Sequence, residues 1–188
     1  MSILVTGGAR SGKSGFAEKL TMKLAGEAVY VATGQAFDAE MKQRIALHRE
    51  QREAAGYPWA TLEEPLDVPE LLARLSGGEV NAKGQAVLVD CLTLWLSNVL
   101  LSVEAEADRQ ELVEREISRL VQSVQAFRGT LVLVTNEVGD GIVPEYALGR
   151  LYRDLAGRMN ALLARECAQV FLVTAGIPVE LKSREYKL

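Results

Sequence analysis

Eight consecutive residues, Gly7-Gly8-Ala9-Arg10-Ser11-Gly12-Lys13-Ser14, fit the pattern G-x-x-x-x-G-K-[ST]. The chemistry of that pattern is a grip on nucleotide phosphates. Glycines at 7, 8 and 12 let the main chain turn tightly and aim its N–H groups inward at phosphate oxygens. Lys13 is a point charge for the β- and γ-phosphates, and the Ser14 hydroxyl is a ligand for Mg2+. A pattern alone is weak evidence, so its flanks decide. Before it, Ile3-Leu4-Val5-Thr6 is a short apolar run of the kind a buried strand needs. After it, Phe16, Ala17, Leu20 and Leu24 recur at helical spacing, and the helix adds its N-terminal partial positive charge. Strand, loop and helix come in the required order, which predicts a nucleotide-binding protein.

Three further groups have side chains suited to chemistry. Asp90 ends the apolar run Ala86-Val87-Leu88-Val89, as a carboxylate that orients Mg2+ directly or through water does. The lesser reading is a cap for a helix starting near Leu92, and the two roles are compatible. His48 is the single histidine of the chain. A lone histidine is usually a surface or satisfied residue, but neutral imidazole is available near pH 7 and attacks phosphorus well. Its neighbours Arg49 and Arg52 are suited to phosphate oxygens or to a solvated helix face. Arg150, Arg153, Asp154 and Arg158 share one helical stretch. There the i,i+4 pairs Arg150–Asp154 and Asp154–Arg158 read as a charged exterior, with a phosphate clamp or subunit contact as the other reading.

The elements that must position these groups alternate. Strands are expected at Ile3–Thr6, Ala28–Ala32, Trp59–Leu62, Ala86–Asp90, Thr130–Thr135 and Val170–Thr174. Helices are expected at Gly15–Leu24, Asp38–Glu53, Val68–Leu75, Leu92–Leu101, Glu104–Phe127 and Tyr146–Ala168. Ser76–Gln85 and Val138–Pro144 read as loops, and Ala175–Leu188 as a tail. Short apolar strands alternating with helices predict an α/β fold of the P-loop NTPase kind. Its sheet would be mainly parallel and covered by helices on both faces. Ligands in such folds sit at the carboxyl ends of the strands, where Thr6-Gly7, Thr33-Gly34, Asp90 and Asn136-Glu137 all fall.

At 188 residues the whole chain, 1–188, is expected to form one domain with a substantial core. A net charge of −4 with no basic cluster argues against nucleic acid as a partner. Cys91 and Cys167 lie far apart and indicate neither a disulfide framework nor a zinc site. Ala86–Val103 is apolar enough to raise the membrane question, but a mid-membrane Asp90 would cost about 3 kcal/mol. With a strand beginning at once and no room for a signal peptide, a cytoplasmic enzyme with no membrane span is expected.

Several stretches together resemble one family. They are the opening I-L-V-T-G-G-A-R-S-G-K-S, the helix R-I-A-L-H-R-E, the strand-to-helix V-D-C-L-T-L-W-L-S-N and T-N-E-V-G-D-G-I-V-P-E. G-R-L-Y-R-D-L-A-G-R-M-N and V-T-A-G-I-P belong with them, so that nearly the whole chain is covered except roughly Val68–Gln85. They resemble the bifunctional adenosylcobinamide kinase / adenosylcobinamide-phosphate guanylyltransferases of cobalamin biosynthesis. The resemblance implies a RecA-like sheet and two reactions. ATP or GTP phosphorylates the aminopropanol hydroxyl of adenosylcobinamide. GTP then transfers GMP to adenosylcobinamide phosphate through a guanylyl-histidine, releasing pyrophosphate, and His48 matches that histidine. It further implies nucleotide contacts at Gly7–Ser14, at Val31, Ala32 and Thr33, at Arg49, Glu50, Gln51 and Arg52, and at Glu63 and Asp90. A homo-oligomer, a trimer, is implied as well. The alternatives to this reading are another small-molecule P-loop kinase, with His48 incidental, and a nucleotide-gated regulatory module.

Overall fold

The computed structural model describes residues 1–35, 43, 46, 50, 52, 54–78, 80 and 84–187. His48, Arg49 and Gln51, and most of the expected helix Asp38–Glu53, lie outside the described residues; Gln43, Ala46, Glu50, Arg52 and Ala54 are helical. Seven strands make one sheet: β1 Ser2–Thr6, β2 Ala28–Ala32, β3 Trp59–Glu63, β4 Ala86–Asp90, β5 Thr130–Val134, β6 Gln169–Thr174 and β7 Ile177–Glu180. Their order is β3-β2-β4-β5-β1-β6-β7. Every pair is parallel except β6 with β7. Because β5 stands between the loop-bearing β1 and the Asp90-bearing β4, the arrangement is RecA-like.

Period-two alternation sends the strand residues to two cores. Ile3, Val5, Leu88, Val132 and Val134 join Ala17 of helix α1 (Lys13–Leu24) on one face. Leu4, Val29, Val87, Leu131 and Leu133 face the other way. There they meet α2 (Val68–Gly77), α3 (Leu92–Ser102), α4 (Arg109–Ala126) and α5 (Ala147–Glu166). In α4 the buried Val113, Ile117, Leu120 and Val124 step by four, three and four, which is one helical face. The apolar stretch Ala86–Val103 divides into β4 and α3, and no described helix is long and apolar enough to cross a membrane.

Three expectations are corrected. The tail holds β7, joined to β6 through Ala175 and Gly176, both at positive φ (52° and 79°) as a tight two-residue hairpin needs. Glu104–Asp108 is turn and coil, so the long helix begins only at Arg109. In the expected loop Ser76–Gln85, α2 runs on to Gly77 and Val80 is helical.

Candidate nucleotide and phosphoryl-transfer site

The loop between β1 and α1 is set by its own main chain. Gly12 sits in the left-handed region at φ 92° and ends the loop, so that Lys13 and Ser14 form the first turn of α1. The opening N–H groups of any helix lack partners within it and point toward the space an anion would fill. A Cβ at Gly7 would lie 2.4 Å from the carbonyl oxygen of Val173, so only glycine fits there. Ser11 N–H donates to Gly8 O at 3.3 Å, and Gly176 N–H, from the β6–β7 turn, donates to Ser11 O at 2.9 Å. Arg10 is exposed at φ 55°. Lys13 is buried and donates to Gly8 O at 3.1 Å.

Lys13 and Ser14 open onto a cavity of about 720 Å3 at the carboxyl ends of the strands. Of the residues the sequence singles out, Ala9, Ala32, Arg52, Glu63 and Asp90 line it as well. Val31 does not: its side chain is fully buried in the core on the α3 side of the sheet. Thr33 is also fully buried, its hydroxyl accepting from Cys91 N–H at 2.8 Å and donating to Cys91 O at 2.7 Å. It braces the chain beside Asp90 and does not line the cavity. Glu50 is exposed and does not line the cavity.

Asp90 is not a helix cap. Cys91 holds the N-cap position of α3, with no side-chain capping bond. Asp90 instead accepts a hydrogen bond from the Tyr30 hydroxyl, Oη to Oδ2, at 3.2 Å. Burial first, and then the charge of Asp90, pushes the Tyr30 phenol far up, so it stays a donor. The guanidinium of Arg52 lies 3.7 Å from the centre of the Tyr30 ring and 3.8 Å from Glu18 Oε1. Arg52 is therefore a buried cation at the cavity wall, and the solvated-face reading fails for it. Burial raises Glu18 above the usual carboxylate range, while Arg52 pulls it back. Burial, followed by the charge of Asp90, also pushes up the Cys91 thiol. Cys91 is thus a protonated packing residue and no nucleophile at neutral pH.

Sequence reasoning placed Asn136 and Glu137 at a strand end without a role, and it missed Tyr30 and Glu18. Asn136 and Glu137 line the cavity. Asn136 Nδ2 donates to Thr93 Oγ1 at 2.5 Å, and its carbonyl accepts from Asn160 of α5 at 3.0 Å. Glu137 N–H donates to Gly7 O at 3.1 Å. The arginines of α5 do not form the expected i,i+4 pairs. Arg150 donates to the carbonyls of Pro144 and Glu145, Arg153 to that of Gly139, and Arg158 pairs with Glu114 at 2.7 Å. Two of the three hold down the loop that follows Glu137.

A glycine loop, a buried lysine, a serine hydroxyl, a strand-end carboxylate and a buried arginine around one cavity define a P-loop nucleotide-binding protein. The model of the cobinamide kinase / cobinamide phosphate guanyltransferase family matches residues 3–181, and the chain belongs to that family. It is 43% identical over 182 residues to the bifunctional adenosylcobalamin biosynthesis protein CobP of Pseudomonas aeruginosa, covering 97% of this chain and 98% of that one. It is 41% and 40% identical to the proteins named CobU of Escherichia coli and Salmonella typhimurium, covering 97% of this chain and all of each. A solved structure of the P4 protein of bacteriophage phi6 is similar at a TM-score of 0.49 and 17% identity, covering 94% of this chain and 52% of that one.

Proposed function

We propose that this chain carries out both reactions of its family in one cavity. The first moves the γ-phosphoryl group of ATP or GTP to the aminopropanol hydroxyl of adenosylcobinamide. The second moves GMP from GTP to the resulting phosphate. The observation that supports this best is that the phosphate loop, Asp90 and Arg52 line a single space. Arg52 follows His48 by four residues in the sequence. In the second reaction a His48 nitrogen attacks the α-phosphorus, the α–β bridging bond breaks, and pyrophosphate leaves. An oxygen of adenosylcobinamide phosphate then attacks the same phosphorus and the P–N bond breaks, which returns free histidine.

The donors present fit Mg2+: the Ser14 hydroxyl and the Asp90 carboxylate are hard oxygen ligands on one cavity, and Mg2+ takes few protein ligands beside substrate phosphates. When bound, it supplies charge neutralisation for the phosphates. Lys13 then holds the β- and γ-phosphate oxygens, and the Tyr30 hydroxyl orients Asp90. We further propose a cytoplasmic homotrimer whose single domain spans 1–188; sedimentation as a monomer at micromolar concentration would refute the trimer.

Incubation with α-labelled GTP in the absence of corrinoid tests the central claim. Wild-type protein should take up label that survives alkali and is lost in acid, as a P–N bond requires. His48→Ala should take up none and should still phosphorylate adenosylcobinamide. Label on the variant, or an acid-stable adduct on the wild type, removes His48 as the nucleophile.

A further inference from the structure

Phosphorylating an alcohol requires that its hydroxyl be oriented and its proton taken, and no residue has yet been given that task. Among the described residues, three carboxylates line the cavity: Glu63, Asp90 and Glu137. Neighbouring strands lie about 4.8 Å apart. In the observed order Glu63, ending β3, is four strands from β1 and its phosphate loop, about 19 Å away. Asp90, ending β4, is two strands away and already engaged by Tyr30. Glu137 follows β5, directly beside β1, and its own N–H bonds the first glycine of the loop. By strand order it is the carboxylate nearest the phosphate loop.

Its side chain is also held in place. Gly139 N–H donates to Glu137 Oε1 at 2.8 Å, and a Cβ at Gly139 would lie 2.9 Å from that oxygen. A side chain at position 139 would push that oxygen aside, so glycine there lets the carboxylate keep its place. The Gly139 carbonyl is in turn held by the guanidinium of Arg153. Glu137 is only partly buried, and Oε2 has no partner among the described residues.

We propose that Glu137 is the base of the kinase step, accepting through Oε2 the proton of the aminopropanol hydroxyl. The inference rests on the bifunctional reading above. As the hydroxyl oxygen bonds to the γ-phosphorus, the bond from that phosphorus to the β–γ bridging oxygen breaks. The electron pair leaves with the nucleoside diphosphate, and the proton stays on Glu137. The second reaction has no such need, because a phosphate oxyanion attacks there and no hydroxyl proton is removed.

The two halves of the reaction therefore separate the proposal from a merely structural role. For Glu137→Gln, phosphorylation of adenosylcobinamide should fall roughly a hundredfold or more. GMP transfer from GTP to ready-made adenosylcobinamide phosphate should fall less than about fivefold in the same preparation. Glu137→Asp, which keeps the charge with a shorter reach, should recover part of the kinase rate. Equal losses in both halves, or an undiminished kinase rate, overturn the proposal. Wild-type protein that guanylylates but phosphorylates no cobinamide overturns the kinase reading first, and that control distinguishes the two failures.

Discussion

The two walls of the cavity are held by different kinds of bond. On the β1 side the holding is done chiefly by main chain: Ser11 to Gly8, Glu137 to Gly7 and Gly176 to Ser11, with Lys13 Nζ on Gly8 O beside them. On the β2–β4 side it is done by side chains: Tyr30 to Asp90, Arg52 over Tyr30 and beside Glu18, and Thr33 across Cys91. Main-chain contacts survive most side-chain replacements and yield only when a glycine gains a Cβ. Each side-chain contact is removed by one substitution. The phosphate wall is thus a fixed scaffold, and the Asp90 wall can be altered one group at a time.

The largest expected effect strikes the fixed wall. Gly7→Ala drives a Cβ to 2.4 Å from the Val173 carbonyl oxygen, a backbone atom that cannot swing aside. It should destabilise the fold by about 3 kcal/mol, lowering Tm by roughly 6–12 °C. A Tm within about 2 °C of wild type would show that the scaffold is not rigid.

Next comes Lys13→Ala, which keeps the main-chain bonds of the loop but removes the Lys13 bond to Gly8 O and the charge-assisted phosphate contact. That contact is worth about 1.5–3 kcal/mol. Calorimetric titration should show GTP binding weakened roughly ten- to a hundredfold. Unchanged affinity would mean that phosphates do not sit in this loop.

The smallest effects separate the contacts of the tunable wall. Tyr30→Phe loses the hydrogen bond to Asp90 and keeps the ring under Arg52, costing about 1 kcal/mol and roughly 2–4 °C in Tm. Tyr30→Leu also removes the cation–ring contact and should cost about 0.5–2 kcal/mol more. Equal melting temperatures for the two variants would show that the Arg52 stack contributes nothing.

This contrast also explains what the sequence revealed. The phosphate loop is eight adjacent residues, and β4 announces Asp90 by ending a run of four apolar ones, so local pattern suffices for both. Glu18, Tyr30 and Arg52 are 12 and 22 residues apart, and only the strand order and the packing of two helical segments bring them together. One signal was available: a phenol in an otherwise apolar buried strand requires a partner for its hydroxyl. The last hairpin escaped for a different reason. Ala175-Gly176 is a poor turn signature, and Pro178 argues against a strand unless, as here, the strand lies at the sheet edge. On α5 the sequence showed charges at helical spacing, but Glu114, distant in the chain, and carbonyls of the loop that leads into the helix captured the arginines.

The position of β1 has a consequence for synthesis. The strand is made long before its two neighbours, residues 130–134 and 169–174, and before Gly176, which braces its loop. A chain growing on the ribosome therefore carries the complete phosphate-loop sequence through the synthesis of residues 15–129 with neither flanking strand to pair it. Such widely separated pairings form late and slowly, because loop closure has to be met before they contribute. Nucleotide capture is thereby deferred until residues 169–176 have emerged, and a chain that stops short of them lacks both a flanking strand and a brace for its phosphate loop.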